Sequence, residues 1–421
     1  MVFPPFLALW WPVMLIISIT VLLGLKLKTW VAPATVFGIL WSAIMFLNVA
    51  FMPDYLVSTA GLWIVCLFIF CFGLGSVLEK FGSRNHVSRL HQTTEFELPL
   101  LRFITVSLSL VGFCAVLIII RDHIGSMSGS NPLDVIHQIA MAETKFRHLD
   151  VKRPQYFSLI NTAFYSSALF GGLLFSRRIP GSKIIGLAPL IVALVYSLIT
   201  TAKSTLLQPL LMWISAYGAA LLLQSRDRSM KLGMSGWILI GCLAILISGI
   251  TLFTFYLRYP NKSLWDAVAL NIVNYVTFGL PPFVFWCDKA HILGLSPDYG
   301  KWTFSGVFDF MGLGTRELGI YKQFFEIGSL TSNLYSAFRG LIQDFTFPGA
   351  ILLTVTTGAI ANLAYRSVKA GNIATLGILA GIYSFVFWSP IVSLFVYNAI
   401  LFAAILFAFY CGLVGQIIKR K

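Results

Sequence analysis

The chain has 421 residues, of which 58% are hydrophobic and 11% charged, and its formal net charge is +14. A soluble domain carries roughly 25% charged residues, so the composition excludes an ordinary globular fold and predicts an all-α polytopic membrane protein, one transmembrane domain over 1–421. The positive charge is read as the basic bias of inner membrane loops rather than a nucleic-acid surface, so the expected partner is the lipid bilayer and no nucleic acid is expected.

Apolar stretches of about 20 residues recur along the chain, each long enough to cross a hydrocarbon core about 30 Å thick. They lack the two-residue alternation of barrel strands, which leaves helices. About eleven spans are predicted, at 5–25, 30–52, 57–78, 99–120, 156–176, 184–200, 205–223, 234–257, 345–365, 372–389 and 391–416. The first has no charged region ahead of it and is longer than a signal-peptide core, so it reads as a span. Pro390 separates the last two with almost no polar loop.

Basic residues follow alternate spans: Lys26 and Lys28, then Lys80, Arg84 and Arg89, then Arg177, Arg178 and Lys183, and so on to Lys419, Arg420 and Lys421. These loops hold 16 of the 30 Lys and Arg residues but only four of the 16 acids. By the positive-inside rule they face the cytoplasm, which puts the N-terminus outside and the C-terminus inside.

Two large outer loops remain, both expected to contain short helices. The first covers 121–155. Asn131 and Pro132 read as the start of a helix, with Val135, Ile139, Ala142 and Phe146 on one face and Glu143, Lys145 and Arg147 opposite, followed by Lys152 and Arg153. Such a helix either rests on the membrane surface or presents a basic face to an anionic lipid-linked ligand. The second loop covers 258–344, far longer than an ordinary connection, and it is too aromatic for disorder. Trp265 to Phe285 is apolar enough to lie at the interface or re-enter the membrane, although Pro281 and Pro282 prevent a clean span. Beyond it come Trp302, Asp309, Arg316, Glu317, Tyr335, Arg339 and Asp344. Aromatic rings suit sugar faces, and Arg forks suit pyrophosphate oxygens; the plainer reading is an interfacial aromatic belt with its ion pairs. Lys203, in a short turn between two spans, either snorkels to the surface or holds a phosphate.

Nucleotide-binding glycine patterns, HExxH and paired CxxC motifs are absent from the sequence, so no cofactor and no metal are expected. The six Cys residues form no ligand spacing, and no His stands in a recognisable constellation. Charged residues are almost absent from span interiors, which argues against an ion-coupled pump.

The stretch from Asn333 through Tyr335, Phe338-Arg339 and Asp344-Phe345, with Pro348-Gly349 after it, resembles the oligosaccharide repeat-unit polymerases, the O-antigen and capsule polymerases of the Wzy-dependent pathway. That family often carries an Asn, an aromatic, an Arg and then Asp-Phe-Gly before the span that follows its large periplasmic loop. Here Thr346 stands in place of the Gly. Lys203-Ser204 is similar to the family's Arg-Ser/Thr pair at the outer end of an earlier span. The resemblance implies a glycosyltransferase of the bacterial inner membrane with its active site at the periplasmic face. It would join oligosaccharide repeat units carried on undecaprenyl pyrophosphate, working alongside a chain-length regulator protein. In that reading Arg339, Arg258 and Lys203 grip the pyrophosphate, with Arg316, Arg147, Lys152 and Arg153 as further anion contacts. Tyr335 and Trp302 face sugar. Asp309, Glu317 or Asp344 is the base, unless Asp344 is instead a structural partner of Arg339. The competing readings are an O-antigen ligase and a flippase for lipid-linked oligosaccharide.

Overall fold

A computed structural model of the chain describes residues 6–82, 97–124, 135, 138–139, 141–143, 155–177, 179–224, 249, 279–290, 292–314, 321, 323–327 and 330–420. Apolar length builds most of it. The helices are α1 (Phe6–Leu27), α2 (Pro33–Phe51), α3 (Ala60–Gly82), α4 (Glu97–Ile124), α5 (Gln155–Phe175), α6 (Ser182–Thr200), α7 (Ser204–Gln224), α8 (Leu280–Lys289), α9 (Ser305–Phe310), α10 (Ser336–Lys369), α11 (Leu376–Trp388) and α12 (Asn398–Arg420). One small antiparallel hairpin joins β1 (Phe325–Ile327) to β2 (Leu330–Ser332), with Glu326 opposite Thr331. Among the described residues nine helices are long and apolar enough to cross a membrane: α1 to α7, α10 and α12. The chain is thus an all-α multi-pass membrane protein.

Successive helices run up and down, and side-chain bonds tie their ends together. At one end Arg102 donates to the Pro180 carbonyl at 2.7 Å and to Ser182 at 3.1 Å. Gln224 there donates to Ser176 at 2.9 Å, and Thr29 meets the Tyr365 hydroxyl at 3.2 Å. Lys26, Lys28, Arg177, Lys183, Arg366 and Lys369 all belong to this basic end. The loop 292–314, which carries α9, and the hairpin lie at the other end, where the Asp298 and Tyr299 amides meet the Gln343 and Asp344 carbonyls.

Small residues let the helices touch backbone to backbone, the usual substitute for hydrophobic drive inside lipid. A Cβ on Gly358 of α10 would stand 2.0 Å from the Phe72 carbonyl oxygen of α3, and one on Gly75 of α3 would stand 1.9 Å from the Val355 carbonyl oxygen. The α3–α10 pair is therefore fixed in register by its glycines.

Three predicted elements differ in the structure. The helix expected from 345 begins at Ser336 and breaks at Thr346, whose φ of 60° and ψ of 172° are non-helical. Pro348 accounts for the break: with no N–H, it cannot close the helical bond to the Asp344 carbonyl, and that carbonyl accepts the Tyr299 amide at 3.0 Å instead. The span expected at 372–389 is the 13-residue α11 preceded by one 3-10 turn, shorter than a full crossing. The last helix starts at Asn398 rather than 391, because 389–397 is buried irregular chain with a single 3-10 turn at Leu394–Val396. The span predicted at 234–257 lies outside the described residues, apart from Gly249.

The breaks meet inside the bundle. The Ser389 carbonyl at the end of α11 accepts the Ala337 amide at 2.8 Å, and the Pro390 carbonyl accepts the Gly279 amide at 3.1 Å. Trp41, near the middle of α2, donates to the Ser389 hydroxyl at 3.1 Å. The last carbonyls of one helix thus satisfy the first amides of α8 and α10, the condition for irregular backbone at membrane depth. A Cβ at Gly279 would lie 2.6 Å from both the Pro390 oxygen and the Ser336 nitrogen, so the junction closes only around glycine.

From this junction two short helices run side by side toward the loop end: α8, and the segment of α10 before its break. The Phe338 ring sits 4.7 Å from Phe68, 4.9 Å from Trp41 and 5.9 Å from Phe283, so the second segment starts deep among α2, α3 and α8. The Pro281-Pro282 pair occupies the first turn of α8, where missing amide donors cost nothing. Cys287 is buried on this helix.

The first loop also differs from expectation. Ile139 is buried against α4, α5 and α6. Glu143, expected on the solvent side, is 3% exposed and meets His123 of α4 at 2.9 Å. The segment is docked on the helices by a buried polar pair.

Candidate functional site

Arg339 lies one turn into α10, on the segment that rises from the junction. Its guanidinium carbon stands 3.9 Å from the centre of the Tyr321 ring, 4.1 Å from that of Tyr335 and 5.3 Å from that of Trp286. Cations are attracted to such ring faces. Nε donates to Gln343 at 3.1 Å, one helical turn later, and one amino group donates to Gln323 at 2.9 Å. The other amino group is buried and makes no hydrogen bond of good geometry among the described residues, with the Tyr335 hydroxyl in its neighbourhood. The residue is 4% exposed, and among the described residues no carboxylate pairs with it.

Burial pushes the Tyr321 and Tyr335 phenols above the ordinary tyrosine value, against the pull of the neighbouring guanidinium. Both rings therefore face Arg339 as neutral phenols. The Tyr335 hydroxyl donates to the Gln323 carbonyl at 3.0 Å, and Trp302 stacks on the far face of the group, 5.2 Å from Tyr321 and nearly parallel to it at 13°. Tyr335 and Trp302 are thus brought to Arg339, Tyr335 directly and Trp302 through Tyr321.

Asp344 does something else. It is fully buried, and its two oxygens accept the backbone amides of Trp302 at 2.9 Å and Thr303 at 2.5 Å. Its backbone carbonyl holds Tyr299 and that of Gln343 holds Asp298, at 3.1 Å. The loop 298–303 is strapped to the end of the helical segment by this residue. Asp344 and Arg339 form no ion pair, so the pairing considered from sequence is absent: Asp344 points to the loop and Arg339 to the ring cluster.

Asp309 is half-buried on α9, which docks through Gly306 against the start of α12. Its carboxylate has no side-chain partner among the described residues. Lys203 caps the turn between α6 and α7, its carbonyl accepting the amide of Leu207 at 2.9 Å; none of the groups around Arg339 comes from that turn. Arg258, Arg316, Glu317, Arg147, Lys152 and Arg153 lie outside the described residues.

Gln323, Gln343, Trp286 and Thr303 were not singled out from sequence. Only Gln343 carried a local signal, its spacing four residues after Arg339 on one helix face. The others reach the site through tertiary packing. Among the described residues the buried hydroxyls of Thr303, Ser305 and Ser336, the Trp388 indole nitrogen and one Arg339 amino group make no hydrogen bond of good geometry, and native interiors leave few such groups.

No family model, curated protein or solved structure matches this chain.

Proposed function

We propose that the chain is a glycosyltransferase of the bacterial inner membrane that joins oligosaccharide repeat units carried on undecaprenyl pyrophosphate, with its site at the periplasmic face. The observation that carries this reading is Arg339: a buried guanidinium that has no counter-charge among the described residues and one amino group without a hydrogen bond of good geometry there. A buried cation is costly unless something anionic completes it. A pyrophosphate leaving group supplies that anion at the moment charge develops. The aromatic walls and the apolar helices around it suit sugar rings and a lipid chain. The basic end of the bundle is read as cytoplasmic, and in that reading Arg339 belongs toward the opposite face.

In this reading the acceptor hydroxyl attacks the anomeric carbon of the donor glycan. The bond between that carbon and the pyrophosphate oxygen breaks, the lipid pyrophosphate leaves with the electron pair, and the hydroxyl proton passes to a carboxylate. Of the two described candidates Asp309 is assigned as that base, because both Asp344 oxygens are engaged by amides, while Glu317 lies outside the described residues. Asp344 is a positioning residue. Arg339 in its closed setting meets the phosphates once Tyr321 and Gln323, which cover it, move aside.

The test is Arg339→Ala in the native host, with surface polysaccharide resolved by length. The expected result is loss of the ladder, with single repeats still attached and protein level held. An unchanged ladder sinks the assignment. Loss of single repeats as well points to ligation of finished chains instead.

A further inference from the structure

Between α10, α11 and α12 lies a groove of about 360 Å³ that the transfer chemistry above does not use. Its floor and walls are almost wholly apolar, and it follows α11 from Gly377 to Phe385, roughly 12 Å at 1.5 Å per helical residue. Its far end is at Ala408, beside Gly377 near the basic end. Its near end is closed by Thr303, Phe338 and Phe345. Those three residues belong to the candidate site: Phe338 precedes Arg339, Phe345 follows Asp344, and the Thr303 amide donates to Asp344. The Thr303 hydroxyl, close to the Asp344 carboxyl, is buried and makes no hydrogen bond of good geometry within the protein.

We infer that this groove seats the polyprenyl chain of the lipid pyrophosphate, with its first isoprene units against Phe338 and Phe345 and its head turned to Thr303 and Arg339. The inference rests on the function proposed above and adds where the lipid lies. A peptide is a poor occupant, because its backbone amides and carbonyls would find almost no partners along these walls. An amphiphile fits: the apolar length takes a hydrocarbon chain, the Thr354 and Thr357 hydroxyls along it are bonded back to their own helix, and the Thr303 end adjoins the segment that carries Arg339 and Asp344. The volume is that of one ligand-sized pocket, which takes part of a single chain rather than the two tails of a phospholipid.

Gly381 provides the test. It lines the groove at the middle of α11, and a Cβ built there meets nothing within 4 Å. Gly381→Leu therefore adds bulk to the groove without displacing a neighbour. Gly218 of α7 is outside the groove and is equally open, so Gly218→Leu is the matched control. The purified full chain, in nanodiscs of phosphatidylethanolamine and phosphatidylglycerol, is irradiated with a diazirine-bearing polyprenyl pyrophosphate, and the labelled peptides are mapped. Label is expected on 377–385 and 401–408, at least fivefold lower in Gly381→Leu, unchanged in Gly218→Leu and competed by unlabelled polyprenyl pyrophosphate. Label spread evenly over the outer helices, or competed equally by phosphatidylglycerol, overturns the inference and makes the groove a site for bulk lipid. Glycan extension measured on the same preparations separates the two ideas. Groove labelling without extension by the wild type keeps the groove and removes the transfer reading. Extension without groove labelling removes the groove alone.

Discussion

Arg339 and Asp344 sit five residues apart on one helical segment, and their surroundings assign them different work. The guanidinium faces rings and amide oxygens, and the carboxylate is consumed by two backbone amides of the 298–303 loop. Removing Asp344 leaves two buried amides unpaired. Hydrogen bonds to a charged acceptor contribute about 1.5–3 kcal/mol each, so Asp344→Ala is expected to cost about 3 kcal/mol or more. The thermal midpoint in detergent should fall measurably, and glycan extension should fall with it. Asp309→Asn is expected to leave that midpoint within about 1 °C, since the side chain is half-buried and lacks partners. Extension should nevertheless drop about 100-fold, the lower range for a lost general base. A variant at Asp309 that extends normally, or one at Asp344 that is as stable as the wild type, reverses the two roles. Sequence alone picked out both residues, because Arg and Asp near a membrane boundary are conspicuous. It left their roles open, because the amides of Trp302 and Thr303 that decide the matter lie more than 40 residues away along the chain.

At the scale of elements, the spans whose apolar run ended in polar residues were legible, as α1 to α7 show. The interrupted ones were not. Hydrophobic length cannot tell a crossing from a helix that starts at half-height, and 336–345 reads as loop because it carries Arg339, Gln343 and Asp344. Pro348 held the clue: the carbonyl four residues before a proline is left over, and here it recruits Tyr299. The hairpin next to this segment is the element most open to test. Gln323, just ahead of β1, holds Arg339 through its side chain and Tyr335 through its carbonyl, so it acts as a latch over the guanidinium. Gln323→Ala releases one of these bonds and favours the uncovered state. Amide exchange over 321–332 should quicken while α3 and the crossing part of α10 keep their protection. Because apparent affinity scales with the fraction of molecules in the open, competent state, binding of a soluble pyrophosphate-bearing probe should tighten severalfold. Weaker binding in this variant means that Gln323 touches the ligand itself and is no latch.

For the whole molecule, the two ends of the bundle differ in kind. One carries Lys26, Lys28, Arg177, Lys183, Arg366 and Lys369, the other carries the hairpin, α9 and the loop strapped down by Asp344. Alternate placement of Lys and Arg along the sequence anticipated this division, because the charge rule acts on loops that are close in sequence to their spans. What it could not anticipate is the junction of Gly279, Ser336 and Ser389, which joins three distant stretches inside the bundle. The proposed function requires the loop end to face away from the cytoplasm, and that orientation is open to direct measurement. Leu293 is 85% exposed at the loop end, and Lys183 is exposed at the basic end. Single cysteines at these positions, in a chain freed of its native cysteines and still active, are treated with a membrane-impermeant maleimide on spheroplasts. Leu293→Cys should react on intact cells, and Lys183→Cys only after the membrane is opened. The opposite pattern puts Arg339 on the cytoplasmic side, where a lipid-linked repeat unit delivered to the outer leaflet cannot reach it, and the proposed reaction falls with it. Reaction of both positions from outside puts Lys183 and the 292–314 loop on one side of the membrane, against their placement at opposite ends of the bundle, so the fold itself would need revision.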